Sequence, residues 1–215
     1  MRIALLISGR GSTAEAIIRA CRSGELDGVE PACTISSREL SPKHFSSSEE
    51  FGEAILKICR DNRVDFIGQY GWMVKTPPNV IEAYKDMMVN QHNGPLPEFG
   101  GEGMYGRRVS CARLLFVHQT NHDFWTEAVS QRVAIKFDEG AVLKARRVPI
   151  LPEDTVEALA ARLLPVEHQV QIETLRDFVN GTVKEVRREI PLVRPGEEAI
   201  LAEVKKEAIM RYPKG

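Results

Sequence analysis

The first 24 residues constrain the fold most strongly, because a buried strand, a glycine turn and an amphipathic helix follow one another. Residues 3–7 form an unbroken apolar run, which is typical of a central parallel strand covered on both faces. Ser12 and Glu15 have the spacing of a helix capping box. Gly24 is a suitable helix end. One apolar helical face is formed by Ala14, Ile17, Ile18 and Cys21. This order predicts a parallel α/β fold.

The turn at residues 8–13, Ser-Gly-Arg-Gly-Ser-Thr, lies between that strand and that helix. Free backbone N–H groups at a helix start bind anions, so the turn is a candidate phosphate site. It is not the dinucleotide fingerprint G-x-G-x-x-G, and it lacks the lysine of a P-loop. A tight turn that binds nothing is the alternative reading.

The rest of the chain alternates between strand and helix patterns. Further strands are expected over residues 31–36, 65–69, 87–89, 129–137, 141–150 and 182–191. Further helices are expected over residues 49–62, 78–84, 107–117, 154–179 and 195–212. Asp138-Glu139-Gly140 is expected to turn a hairpin. We therefore predict a Rossmann-like, mixed but mostly parallel sheet with helices on both faces and an antiparallel edge hairpin near 130–150. The expected organisation is one domain over residues 1–192 and a helical tail over 193–215.

Composition narrows the possible partners and the compartment. The 215 residues carry a net charge of −1, and no block of Lys and Arg stands out, which argues against nucleic-acid and membrane partners. Four cysteines are widely spaced without a C-x-x-C pair, as in cytoplasmic proteins with reduced thiols, and no metal site is expected. The N-terminal apolar run is too short for a signal peptide.

Residues 87–97 combine the end of a buried strand with polar side chains. Asn90 and His92 are two residues apart, so in an extended chain both face the same way at the carboxyl edge of the sheet, where open α/β sheets bind ligands. Together with Asp138 they suit acyl transfer to an amine, through oxyanion stabilisation and proton removal. On residue type alone, a structural histidine and a turn aspartate remain the alternatives.

Several short motifs, in order, resemble the folate-dependent formyltransferases over most of residues 1–192. Among these, the branch that formylates glycinamide ribonucleotide (GAR) is the most similar. The motifs are Ile-Ser-Gly-Arg-Gly-Ser (7–12), Gly-Trp-Met (71–73), Asn-Gln-His-Asn-Gly-Pro-Leu-Pro (90–97), Gly-Gly-Glu-Gly-Met-Tyr-Gly (100–106), Phe-Asp-Glu-Gly-Ala-Val-Leu (137–143), Val-Pro-Ile (148–150) and Glu-His (167–168).

The resemblance implies roles for these residues. It implies that Asn90, His92 and Asp138 are catalytic, in a transfer of formyl from 10-formyltetrahydrofolate to the amine of GAR. Substrate binding would fall to Glu167 for the glycinamide and, for the ribose phosphate, to Gly11, Ser12 and Thr13. The pterin pocket would be lined by Met73, Val74, Thr76, Ala134, Ile135, Lys136 and Phe137, although ordinary core positions are the alternative. Small-molecule substrates, no metal, and a homodimer are the remaining expectations.

The sequence departs from the family pattern on the acceptor side. Asn93 and Thr13 stand where Pro and Asn are usual, and Val74 stands where Arg is common. Residues 37–48 are too few for the usual helix and strand, and no counterpart of a phosphate-binding Arg is evident. Alternative readings are therefore transfer to another amine, such as an amino-sugar nucleotide or methionyl-tRNA, hydrolysis of formyltetrahydrofolate, and non-catalytic binding of a phosphorylated metabolite.

Overall fold

A computed structural model describes all 215 residues and contains one six-stranded sheet. The strands are β1 (Arg2–Ile7), β2 (Glu30–Ser36), β3 (Phe66–Gln69), β4 (Met88–His92), β5 (Trp125–Arg132) and β6 (Val142–Pro149), in the spatial order β2-β1-β3-β4-β5-β6. β1 to β4 are mutually parallel, whereas β5 runs antiparallel to both β4 and β6. The predicted mixed sheet with an antiparallel edge hairpin is confirmed.

Six α-helices surround this sheet. They are α1 (Ser12–Ser23), α2 (Ser48–Asp61), α3 (Pro78–Ala83), α4 (Arg107–Thr120), α5 (Val156–Asn180) and α6 (Glu198–Arg211). None of them combines the length and apolar character needed to cross a membrane.

The central strand β1 shows why helices cover both faces. Successive strand residues point to opposite sides. Ile3 and Leu5 therefore join the core formed with α1 and α5, while Ala4 and Leu6 join the core formed with α2 and α3. All four side chains are fully buried. An alternating polar residue would break one core, so the continuous apolar run follows from the architecture.

Two predicted helix caps are wrong. Gly11, not Ser12, precedes α1, in the left-handed conformation at φ 74°, and no side chain caps this helix. A glycine tolerates that backbone without a Cβ penalty, so the helix can begin one residue earlier. At α5, the cap is Thr155, whose hydroxyl accepts from Ala158 N at 3.1 Å. Asp154 instead forms an ion pair with Arg162.

The edge hairpin is confirmed, but its predicted limits and tight turn are wrong. β5 begins at Trp125 and ends at Arg132, so residues 133–137 are not a strand. They belong to a nine-residue connection, 133–141, that places Asp138 in the left-handed conformation at φ 58°. The apolar residues of this segment resemble a strand pattern, but the segment bonds to β4 through its first residue, from Val133 N to Met88 O at 3.3 Å.

The C-terminal quarter contains one wrong prediction and one confirmed helix. Residues 182–191 do not form a strand; a backbone bond from Val186 N to Val142 O at 2.7 Å joins them to β6. The tail helix is present as α6, and it packs against α4 with Val204 and Ala208 fully buried. The domain boundary at residue 192 stays a prediction.

Candidate active site

Three side chains that are distant in sequence meet at the carboxyl edge of β4. His92 Nδ1 lies 3.7 Å from Asp138 Oδ1, and Asn90 Nδ2 lies 3.5 Å from the same oxygen. Asn90 and His92 face one side because they alternate with Gln91 along the strand. The structure therefore brings together the three residues expected to be catalytic, which we name the Asn-His-Asp trio.

The Asp138 carboxylate is held by donors from two other segments. Gln131 Nε2 donates to Oδ1 at 2.6 Å, and Gly101 N donates to Oδ2 at 3.0 Å. The carboxylate remains 9% exposed. Gln131 is not among the predicted site residues, because its place opposite Asn90 depends on the register of the antiparallel strand pair. These bonds orient one carboxylate face toward His92 and Asn90.

His92 is 5% exposed, and its ring has a defined tautomer. Its Nε2 lies 3.1 Å from the Phe99 carbonyl oxygen, which can only accept, so Nε2–H donates there. In the neutral ring, Nδ1 is then the free acceptor beside Asp138. Burial lowers the pKa of His92, and the nearby Asp138 opposes this effect. Near neutral pH the imidazole is therefore mainly in its neutral form.

A cavity of about 660 Å³ opens beside the trio. Typical small-molecule sites have volumes of about 300–1,000 Å³. The 101–107 loop forms one wall and α5 contributes another, with Glu167 facing the cavity. Asn93, which replaces the usual proline, donates to the Gly106 carbonyl at 2.9 Å and ties the strand end to that wall. The cavity is large enough for a small polar substrate.

Glu167 is the one buried carboxylate on the α5 side of this cavity. It is 7% exposed, and Gln91 Nε2 donates to its Oε2. Burial raises the pKa of Glu167 to about 7, and the Gln91 hydrogen bond only partly offsets this effect. Near neutral pH this side chain can therefore either accept or release a proton.

The three residues expected to bind phosphate lie at the start of α1 but do not line the cavity. Gly11 is partly buried, Ser12 is exposed and Thr13 is buried. Arg10 from the same turn does line the cavity, although it is not among the predicted phosphate-binding residues. A second guanidinium contacts this turn, because Arg38 Nε donates to the Ser8 carbonyl at 3.1 Å. The turn is therefore flanked by two cations.

Most residues expected to line a pterin pocket do surround one cleft. Val74, Thr76 and residues 134–137 line a cavity of about 50 Å³ that also borders Asn90 and Asp138. Met73 faces the larger cavity instead. Trp72 and Gln69, which are not among the predicted residues, also line the cleft. A volume of this size holds a few water molecules.

This geometry suits addition of an amine to an activated carbonyl. An amide N–H at Asn90 can stabilise a developing oxyanion. A neutral imidazole backed by a carboxylate can accept a proton and stabilise the charge it acquires. No group of three or more His, Cys, Asp and Glu side chains is arranged to hold a metal ion.

A family profile and two named relatives both point to formyltransferases. The sequence profile of the family described as formyl transferase matches residues 30–175. The chain is 28% identical to the phosphoribosylglycinamide formyltransferase of Haemophilus influenzae, over 85% of this chain and 89% of that protein. It is 27% identical to the chloroplastic phosphoribosylglycinamide formyltransferase of Vigna unguiculata, over 91% and 66%.

Solved structures are similar as well. The glycinamide ribonucleotide transformylase 1 of Symbiobacterium toebii superposes with a TM-score of 0.75 at 26% identity, covering 87% of this chain and 94% of that one. A formyltetrahydrofolate deformylase of Pseudomonas syringae shares the fold at 20% identity and a TM-score of 0.67, covering 84% and 61%. Since the family profile covers more than half of the sequence, the chain belongs to the formyl transferase family.

Proposed function

We propose that this protein transfers the formyl group of 10-formyltetrahydrofolate to the amine of GAR. The observation that carries the proposal is the Asn-His-Asp trio, with both contacts to Asp138 under 4 Å, beside a cavity that also contains Glu167. The names of the bacterial and plant relatives support GAR as the acceptor.

In the proposed reaction the acceptor nitrogen attacks the formyl carbon, and a carbon–nitrogen bond forms. The carbonyl oxygen gains negative charge, which the Asn90 Nδ2–H stabilises. His92 Nδ1 takes the proton that the amine loses, and Asp138 stabilises the resulting imidazolium. The bond from the formyl carbon to N10 of the folate then breaks, and N10 receives the proton. No electrons are exchanged with a redox partner.

On the acceptor side we assign binding to Glu167, Gly11, Ser12 and Thr13. Glu167 supplies a carboxylate for the glycinamide amine from the opposite wall of the cavity. The uncapped start of α1 supplies backbone N–H donors for the phosphate. Arg10 adds a positive charge at the mouth of the same cavity.

On the folate side we assign the pterin to the cleft beside Asn90 and Asp138. Val74, Thr76, Ala134, Ile135, Lys136 and Phe137 line the cleft. Met73, which is also assigned to the pterin, lines the larger cavity. Because the cleft has a volume of only about 50 Å³, it must widen to admit a pterin ring.

A different acceptor amine is the second candidate, and one observation favours it. Gly11, Ser12 and Thr13 do not line the cavity that contains the trio. An amino-sugar nucleotide that does not place its phosphate at α1 would meet the same catalytic groups.

One assay distinguishes transfer to GAR, transfer to another amine, and hydrolysis. Purified protein is mixed with 10-formyltetrahydrofolate, and release of tetrahydrofolate is followed with GAR, with an amino-sugar nucleotide, or with no amine. We expect release that depends on GAR, with formyl-GAR identified by mass spectrometry. Release without any amine would indicate a hydrolase. Turnover with the amino-sugar nucleotide alone would overturn the GAR assignment.

The cytoplasmic location, the homodimer and the domain boundary at residue 192 are also proposals. Four free cysteines support a reducing compartment. Cell fractionation, light scattering and limited proteolysis test the three proposals in turn.

A further inference from the structure

One short segment, residues 98–101, contacts two members of the Asn-His-Asp trio. The Phe99 carbonyl accepts from His92 Nε2–H at 3.1 Å, and Gly101 N–H donates to Asp138 Oδ2 at 3.0 Å. These bonds set the tautomer of the imidazole and the orientation of the carboxylate. A shift of this segment would therefore displace both groups together.

The 98–101 segment is itself held by the C-terminal helix. Lys205 Nζ donates to the Glu98 carbonyl at 3.1 Å and to the Gly100 carbonyl at 2.7 Å. These two carbonyls flank Phe99 in sequence, so one ammonium group fixes the backbone on both sides of the residue that binds His92. The Glu98 side chain is also paired with Arg188 at 2.8 Å.

Helix α6 is anchored near both of its ends, so it can hold Lys205 in place. His122 Nε2 lies 2.7 Å from Glu197 Oε1 at the start of the helix. Arg108 donates to the carbonyls of Tyr212 and Pro213 at 2.8 and 2.7 Å just after its end. Between these points Val204 and Ala208 are buried against α4. The helix lies outside residues 30–175, which the family profile matches.

We infer that Lys205 is a positioning residue for formyl transfer, which acts by clamping the 98–101 segment so that His92 and Asp138 keep their reactive geometry. The inference rests on the proposed function for its kinetic test. Its structural test does not require turnover.

A second effect of Lys205 on His92 is electrostatic. The groups that act on the ring by charge are Asp138, which favours the protonated form, and Lys205, which disfavours it. Removing the ammonium charge therefore raises the pKa of His92. Any opening of the site toward water acts in the same direction, because burial is the main cause of the lowered value.

The test compares Lys205→Met, which keeps the aliphatic stem, with Lys206→Met, a matched control at the exposed neighbouring position on the same helix. Misplacing catalytic groups by about 1 Å costs up to roughly a hundredfold in rate, so we expect Lys205→Met to lower kcat by about ten- to a hundredfold. Both KM values should stay within about threefold, because the substrate contacts are elsewhere. Lys206→Met should behave as wild type.

Nuclear magnetic resonance of the histidine rings gives the readout that is independent of turnover. We expect the pKa of His92, assigned with His92→Ala, to rise in Lys205→Met and to stay constant in Lys206→Met. If Lys205→Met does not fold, Lys205→Gln is measured instead. Its amide still donates to one carbonyl, so we expect a smaller loss of kcat and the same upward pKa shift.

The outcomes for the two proposals are distinguishable. Wild-type kcat together with an unchanged pKa of His92 in Lys205→Met would overturn the role of Lys205. Absence of turnover by the wild-type protein with GAR would overturn the proposed function, while the titration still decides whether Lys205 controls His92.

Discussion

Replacing the buried carboxylate Glu167 by Gln should stabilise the protein at alkaline pH while weakening acceptor binding. Glu167 is 7% exposed, makes no ion pair, and bonds to Gln91. Burial raises its pKa from the usual 4.5 to about 7. Since each tenfold change in proton affinity corresponds to about 1.4 kcal/mol, this rise represents about 3 kcal/mol.

The direction in which stability changes with pH follows from proton uptake on folding. The folded protein holds the Glu167 proton more tightly than the unfolded chain, so folding takes up a proton between pH 4.5 and about 7. The contribution is fully present below pH 4.5 and is lost as the pH rises through 7. The glutamine in Glu167→Gln does not titrate, so this variant lacks the pH-dependent contribution. Its free energy of unfolding, relative to wild type, should therefore increase by up to about 3 kcal/mol between about pH 4.5 and pH 8.

Urea unfolding of both proteins across this pH range measures the difference. Other titrating groups cancel, because they are common to both proteins. Glu157→Gln is the control, since that side chain lies on the same helix but is 56% exposed. Its difference from wild type should change far less across this range than that of Glu167→Gln, because interactions of exposed charges are weak. A Glu167→Gln difference that changes by less than about 0.5 kcal/mol across the range would show that the pKa of Glu167 is not raised by folding.

Three further predictions concern activity. His92→Ala or Asp138→Asn should each lower kcat by roughly two to four decades in the GAR assay, and a loss of less than about threefold would remove them from the mechanism. Gly100→Ala would place a Cβ 2.6 Å from Asp138 Cβ and 2.5 Å from Leu96 Cδ2, so kcat should fall by about tenfold or more, with wild-type kinetics as the contrary result. The KM for GAR should rise as the pH falls below about 7, because Glu167 then loses its charge, and a flat profile would exclude Glu167 from acceptor binding.

Much of the fold follows from local patterns. The buried run of β1, the glycine turn and the apolar face of α1 specify a strand–helix unit, and the repeat of this pattern predicts the parallel sheet. The predictions fail where a strand-like local pattern also fits an irregular connection. Residues 133–137 and 182–191 both have strand-like sequences, but neither segment forms a strand.

The candidate site was predictable only in part. Alternation along β4 places Asn90 and His92 on one side, and this follows from backbone geometry alone. The selection of Asp138 and Glu167 came from resemblance to a family. Gln131 and Lys205 carried no local signal, because each acquires its partner through strand register or helix packing. Arg10 lies within the predicted phosphate turn, but its place in the cavity wall depends on the tertiary structure.

Local residue patterns specify the helices and strands and the faces that they bury, because side-chain direction repeats with backbone geometry. The distances between the active groups depend instead on long-range packing. Asp138 lies 46 positions after His92, and Lys205 lies 67 positions after Asp138. Their approach depends on how strands pair and how α6 packs on α4, which no local pattern encodes. Helix α6 thus contacts, through Lys205, the 98–101 segment that bonds to His92 and Asp138.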